Sequence, residues 1–109
     1  MEIETPKEFF EKVLPKRFNA EKTEGVNATV QMKITGPTGG NWIISIKDQK
    51  LEVEEGTHPS PEMSIEMSDS NYLDVVNGKI SGERAFMTGK LKFKGNITTA
   101  MQLKNLGFL

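Results

Sequence analysis

The chain has 109 residues, a formal net charge of -1 from 14 basic and 15 acidic residues, and no cysteine. A chain of this length buries roughly 65% of its unfolded surface, so we expect a single domain over residues 1–109. The balanced charge argues against a nucleic-acid partner, and the missing cysteines exclude disulfides and thiolate metal ligands. No apolar run approaches the ~20 residues of a spanning helix, and no signal-like leader opens the sequence, so we expect a cytoplasmic protein.

The first predicted element is an amphipathic helix near the N-terminus. Thr5 is placed to cap it, Pro6 suits its first turn and Glu8 occupies the capping-box position. Pro15 is expected to end or kink this helix. At ~100° per residue one face is apolar, and it comprises Phe9, Phe10, Val13 and Leu14.

Period-two alternation of apolar and polar residues then predicts strands. The polar positions of the first strand, Gln31 among them, belong to the open face of a half-buried sheet. A glycine-rich turn at 36–40 and a second turn at Asp48 and Gln49 connect the first three strands as a meander. The predicted strands cover residues 26–34, 42–46, 51–53, 63–67 and 90–94.

Two helices are predicted between the fourth and fifth strands, and a third is predicted after the fifth strand. Asp69 or Ser70 is expected to cap a helix that ends at Gly78, and Gly89 to end a short apolar helical run at 85–87. The inward residues of the first of these helices are predicted to be Tyr72, Leu73 and Val76. Strands followed by helices indicate an α+β fold: a five-stranded, mostly antiparallel sheet with helices covering one face.

The last predicted helix opens at Asn96 and is unusually apolar. Its apolar arc spans roughly 220° at 100° per residue, which is broader than one docking face requires. The arc contains Ile97, Ala100, Met101, Leu103 and Leu106. Part of it therefore needs a second apolar neighbour: another helix, a second copy of the chain, or a bound apolar ligand.

No catalytic or metal-binding constellation is present in the sequence. The single histidine, His58, precedes Pro59 in a turn-rich loop, where a surface position is expected. The glutamates at 52–55 and Glu66 lie at strand positions predicted to face solvent, and residues 36–40 lack the lysine and helix of a phosphate loop. We expect no enzyme activity, no metal and no cofactor.

The stretch AFMTGKLKFKGNITTAMQLKNL at 85–106 resembles the signature of the sterol carrier protein type 2 family, in which a small apolar helix leads into G-K-L-K-x-x-G-N and a terminal helix. The resemblance also includes M-S-I-E-M-S-D at 63–69 and L-P-x-x-F at 14–18, and it covers nearly the whole chain. It implies a lipid-binding domain with an apolar tunnel between sheet and helices, here as a stand-alone prokaryotic-type member.

The resemblance, the broad arc and the apolar tail together predict the ligand-binding residues, which are Phe86, Met87, Leu91, Phe93, Ile97, Met101, Leu103, Leu106 and Phe108. The expected partner is a fatty acid, fatty acyl-CoA, phospholipid or sterol, among which the sequence does not select. The predicted function is non-enzymatic lipid binding and transfer. The alternative is a dimerisation or accessory interaction module without a free lipid ligand, and the chain is expected to be a monomer or homodimer.

A lipid carrier also implies transient contact with a membrane surface. Two features are candidates: the phenylalanines of the first helix, and the lysines at positions 79, 90, 92 and 94. Each has an alternative explanation, because Phe9 and Phe10 suit a protein core and lysines on an edge strand prevent strand-to-strand aggregation.

Overall fold

The computed structural model describes residues 2–96 and 98. Within this range one sheet has the strand order β3-β2-β1-β4-β5. The strands are β1 Ala28–Thr35, β2 Gly40–Lys47, β3 Lys50–Glu55, β4 Met63–Ser68 and β5 Lys92–Gly95. Neighbouring strands are antiparallel except β1 and β4, which run parallel. The predicted α+β class and the mostly antiparallel sheet are confirmed.

Helices pack against one face of this sheet. Helix α1 has the segments Pro6–Glu8, Phe9–Val13 and Leu14–Arg17, while α2 is Asp69–Val76 and α3 is Gly82–Met87. Thr5 caps α1 as predicted, because its hydroxyl accepts a hydrogen bond from the Glu8 amide at 3.1 Å. Ser68 caps α2 by accepting from the Asn71 amide, so the predicted cap at Asp69 or Ser70 is wrong by one or two residues.

Pro15 does not end α1. The segment Phe9–Val13 is π-helical, and its last bond runs from the Leu14 amide to the Phe9 carbonyl. Pro15 then occupies the first turn of Leu14–Arg17, where its missing N–H removes no helical bond. The helix therefore accommodates proline by an irregular turn before it and continues to Arg17.

The core lies between the helices and the inward side chains of the sheet. Phe10 joins the layers: its ring stacks on Tyr72 of α2 at 5.4 Å and lies 5.1 Å from Trp42 of β2. Phe9 meets Tyr72 edge-on at 5.8 Å. The inward strand residues that are buried here are Val30, Met32, Ile34, Trp42, Ile44, Ile46, Met63, Ile65 and Met67. These contacts hold α1 and α2 on the sheet.

The opposite face of the sheet is partly covered by the loop after β3. Gln31, predicted on the open face, is buried because this loop crosses it. Its amide nitrogen donates to the carbonyls of Trp42 and Gly56 at 3.1 and 3.0 Å, and its Oε1 accepts from the His58 amide at 2.7 Å. A polar residue can occupy this buried position because each of its side-chain groups is paired.

The helix end at Gly89 and the strand after it are both present as predicted, but the strand begins two residues later. Gly89 adopts φ +78°, and the amides of Lys90 and Leu91 both donate to the Ala85 carbonyl. These bonds extend the helix end, so β5 begins at Lys92 rather than Lys90. After β5, Asn96 Oδ1 accepts from the Thr98 amide at 2.8 Å. The helix predicted to open at Asn96 otherwise lies outside the described residues and stays a prediction.

Candidate functional site

An open groove lies between α1 and the edge strand β3. Its volume is about 610 Å³, within the usual range for small-molecule sites. The groove is lined by Phe10, Glu11, Pro15, Phe18, Lys50, Leu51 and Val53. Five of these seven residues are apolar, but the exposed Glu11 and Lys50 supply one charge of each sign, and the surface of the groove is polar and apolar in about equal parts.

The groove exists because the inward face of the sheet extends beyond α1. Leu51 and Val53 pair with Ile46 and Ile44 of β2, so they lie on the same face as the core. No further strand lies beyond β3 in the sheet formed by the described residues, and both side chains remain only half-buried. Phe18, directly after α1, is half-buried as well. Apolar surface is thus left for another apolar group to cover.

The structure divides the predicted ligand-binding residues between core and surface. Leu91 is buried, and Phe93 is half-buried opposite Ile65, against the core. Phe86 and Met87 are exposed, at 53% and 83%. The remaining predicted residues, Ile97, Met101, Leu103, Leu106 and Phe108, lie outside the described residues and stay predictions.

The predicted set did not include the residues of the groove. The sequence does show that Leu51 and Val53 alternate with glutamates, which places them on the apolar face. It does not show that β4 runs beside β1, the arrangement that leaves β3 at an edge. If the strand order had been known, the half-exposed apolar residues on β3 would have indicated the groove.

Polar groups near the core have structural roles. Burial raises the pKa of Tyr72 well above its ordinary value, although the nearby Arg17 opposes the shift. His58 Nδ1 accepts from the Ser60 amide at 3.0 Å, which stabilises the loop over Gln31. In the described part of the chain, no three histidine, aspartate or glutamate side chains are grouped to hold a metal ion.

The charged pairs are surface features. Lys79 and Glu2 form an ion pair at 2.7 Å, and each shifts the pKa of the other, lowering that of Glu2 and raising that of Lys79. Lys92 lies 3.8 Å from Glu66 on the face of β5 that points away from the core. The helices formed by residues 2–96 include none that is long and apolar enough to cross a membrane.

The chain is thus a small α+β domain with helices on one face of a five-stranded sheet and a groove at its β3 edge. The sequence profile of the SCP-2 sterol transfer family matches residues 10–107. The chain therefore belongs to this family, and its domain is of the family's lipid-binding and transfer type. The predicted resemblance is confirmed.

Known relatives agree with this assignment. Non-specific lipid-transfer protein-like 1 of Caenorhabditis elegans is 33% identical over 88 residues, which are 79% of this chain and 75% of that protein. Hydroxysteroid dehydrogenase-like protein 2 of Mus musculus is 34% identical over 88 residues, but the match spans only 18% of its length. The solution structure of sterol carrier protein domain 2 of Helicoverpa armigera is 28% identical, with a TM-score of 0.73 over 92% of this chain and 80% of that one.

Proposed function

We propose that residues 1–109 act as one non-enzymatic lipid carrier domain, which holds an acyl chain or a sterol-like lipid on the helix-covered side of the sheet. The observation that carries this proposal is the open groove between α1 and β3, in which five of the seven lining residues are apolar. Its walls suit a hydrocarbon tail, and Lys50 and Glu11 at its border remain available to a polar head group. No covalent step is needed for this function.

Transfer energetics explain why such a site is useful. Moving a 16-carbon chain from a bilayer into water costs on the order of 13 kcal/mol, at ~0.8 kcal/mol per methylene. Moving it from a bilayer into an apolar groove exchanges one hydrocarbon environment for another. A carrier of this type lowers the cost of transfer without a strong interaction with the head group.

The direct test is a substitution that fills the groove with a larger side chain. Leu51→Trp should weaken binding of a fluorescent fatty acid by about tenfold or more, because the larger ring occupies space that the tail would use. Glu52→Trp is the matched control, since Glu52 is the next residue of β3 and is exposed on the opposite face. Equal affinities in two folded variants would place the ligand elsewhere.

The predicted C-terminal wall is tested separately by Met101→Trp. We expect this substitution to block the same probe while the far-ultraviolet circular dichroism stays unchanged. If Leu51→Trp weakens binding and Met101→Trp does not, the groove alone holds the tail. If wild-type protein binds no probe and carries no lipid, the carrier function is wrong.

A second candidate function is an accessory or dimerisation module. The mouse relative supports it, because the matched region is a small part of a much longer chain. Native mass spectrometry before and after organic extraction separates the two functions. Lipid released from a monomer supports the carrier, whereas a lipid-free dimer that binds no probe supports the interaction module.

A further inference from the structure

The outer side of β3 is a regular, open edge of the sheet. The strand is six residues long, and it pairs with β2 at every position without a bulge. In the sheet formed by the described residues, no strand lies on its other side. Natural edge strands are often protected by a proline or a bulge, and β3 has neither. This edge therefore keeps the geometry that a further strand needs.

The hydrogen bonds of the β2–β3 hairpin show which backbone groups face this edge. Opposite residues of antiparallel strands alternate between hydrogen-bonded and non-hydrogen-bonded pairs. The Gly56 amide donates to the Asn41 carbonyl at 3.0 Å, so the pair just beyond the end of β3 is a bonded one. Counting back from this pair, Leu51, Val53 and Glu55 belong to non-bonded pairs. Their N–H and C=O groups therefore point away from β2, and we call this row of groups the β3 edge.

The side chains of β3 form two rows of different character. Glu52 and Glu54 are exposed on the face away from the helices, in the same row as Lys50 beside the hairpin turn. Leu51 and Val53 are half-buried on the helix-covered face. Residues directly opposite each other in a sheet share a face, so an added strand would continue both rows. It would meet glutamates on one face and apolar side chains on the other.

We propose that the β3 edge binds an extended segment of another protein as a sixth strand, and that basic residues alternate with apolar ones in this segment. The basic residues would lie beside Glu52 and Glu54, while the apolar residues would cover Leu51 and Val53. In this mode of recognition, main-chain hydrogen bonds provide affinity and alternate side chains provide specificity. The charge of the outer row selects the partner.

A second β3 strand is a poor occupant of the same edge. In an antiparallel pair of two β3 strands centred on Val53, Glu52 of each copy would lie opposite Glu54 of the other. Like charges directly opposite each other destabilise a sheet. The glutamates thus oppose self-association at the β3 edge, while they favour a basic strand at the same place.

This inference does not depend on a lipid in the groove. The backbone groups of β3 and its outer glutamates carry it, and Glu52, Glu54 and Glu55 are not among the residues that line the groove. Peptide binding can be measured on protein freed of lipid, and fatty-acid binding can be measured without peptide. Failure of one function is therefore distinguishable from failure of the other.

The experiment is fluorescence anisotropy of labelled peptides mixed with the full chain after lipid extraction. The probe is a short peptide of alternating lysine and valine. One comparison peptide alternates glutamate and valine, and the other has the lysines and valines of the probe in two separate blocks. Wild type should bind the probe roughly tenfold or more tightly than either comparison peptide, because only the probe presents a basic and an apolar row together.

Charge reversal on β3 tests the outer row. Glu52→Lys with Glu54→Lys should weaken binding of the probe by roughly tenfold or more and strengthen binding of the glutamate peptide. Glu4→Lys with Glu83→Lys is the matched control, because it makes the same charge change at two exposed positions outside β3. The control should retain most of the peptide binding, and both variants should keep the fatty-acid affinity of wild type.

A proline substitution tests the main-chain hydrogen bonds. Glu55→Pro removes an N–H that faces the open edge, and an edge strand tolerates proline at such a position. Glu55→Ala is the control, since it loses the same carboxylate but keeps the N–H. The proline variant should bind the probe about threefold to tenfold more weakly than the alanine variant, which is the change expected from one hydrogen bond. Both should keep the circular dichroism of wild type.

Four results would overturn the proposal. If wild type binds none of the peptides, the β3 edge has no partner of this chemistry. If the alternating and blocked lysine peptides bind equally, the attraction is one of charge alone. If the proline and alanine variants bind equally, the main chain of β3 makes no contact with the probe. If the protein sediments as a dimer that the probe dissociates, the β3 edge is occupied by a second copy.

Discussion

A single buried tyrosine connects three parts of the core. Tyr72 stacks on Phe10 and meets Phe9 edge-on, so it joins α2 to α1, and Phe10 continues the contact to Trp42 of the sheet. Arg17 lies 5.6 Å above the Phe9 ring and donates to the Val76 carbonyl at 3.2 Å, which adds a bond between the two helices. The side of the groove formed by α1 depends on this cluster.

Burial of Tyr72 should make the protein sensitive to alkaline pH. Its pKa is raised by desolvation in the folded chain, whereas in the unfolded chain it ionises near its ordinary value of about 10. Below pH 10 this difference between the two pKa values does not change the free energy of unfolding. Above it the unfolded chain releases a proton that the folded chain keeps, so the free energy of unfolding falls as pH rises.

The chain has one tyrosine, so phenolate absorbance reports Tyr72 alone. We expect the phenolate to appear only when the protein unfolds, and we expect Tyr72→Phe to have a shallower loss of stability above pH 10. A phenolate signal near pH 10 in protein that keeps its native circular dichroism would contradict this prediction.

At the scale of elements, the attachment of β5 depends on one glycine. Gly95 has φ +129° and lies opposite Met63 of β4. A Cβ at this position would overlap the Glu62 carbonyl oxygen and approach Met63 Cα to 2.8 Å. The closeness of β5 to β4 therefore requires a residue without a side chain.

Gly95→Ala should lower the free energy of unfolding by about 2–4 kcal/mol, through backbone strain and overlap together. Gly78→Ala is the control, because Gly78 also has a positive φ of +78° but no atom lies within 4 Å of its would-be Cβ. Its cost should be only about 1–2 kcal/mol. Urea denaturation followed by Trp42 fluorescence measures both, and equal losses would mean that the close approach does not matter.

The alternation of side chains was enough to predict the strands and their inward faces. Residues such as Val30, Ile44 and Met63 are buried as the period-two pattern requires. Alternation describes one strand at a time, so it could not show that β4 runs parallel to β1 or that a loop covers Gln31. Both features depend on contacts between residues far apart in the chain.

The candidate site was less predictable than the fold for the same reason. The apolar character of Phe86 and Leu91 is visible in the sequence, yet one is exposed and the other is buried. Their positions follow from the helix end at Gly89, after which the amide of Leu91 is bonded to the Ala85 carbonyl. Prediction of the groove required the strand order as well. Leu51 and Val53 are partly exposed only because β3 lies at an edge of the sheet.

At the scale of the whole molecule, a groove lined by apolar residues leaves part of the hydrophobic stabilisation unused until a ligand enters. Any ligand that binds the folded chain and not the unfolded chain adds RT ln(1 + [L]/Kd) to the free energy of unfolding. The same lipid that is carried should therefore also stabilise the carrier. This links the proposed function to a property of the complete fold.

Protein freed of lipid by organic extraction should accordingly unfold at a lower temperature than protein resupplied with a fatty acid. At a free concentration of ~100 Kd the gain is about 2.7 kcal/mol, a shift of roughly 10 °C or more for a domain of this size. Scanning calorimetry at increasing lipid concentration measures the shift. Leu51→Trp, with its affinity lowered about tenfold, should show only about half of this shift at the same lipid concentration, whereas Glu52→Trp should respond as wild type does. A shift of equal size in both variants would mean that the lipid acts on some other surface, and the groove would lose its assigned role.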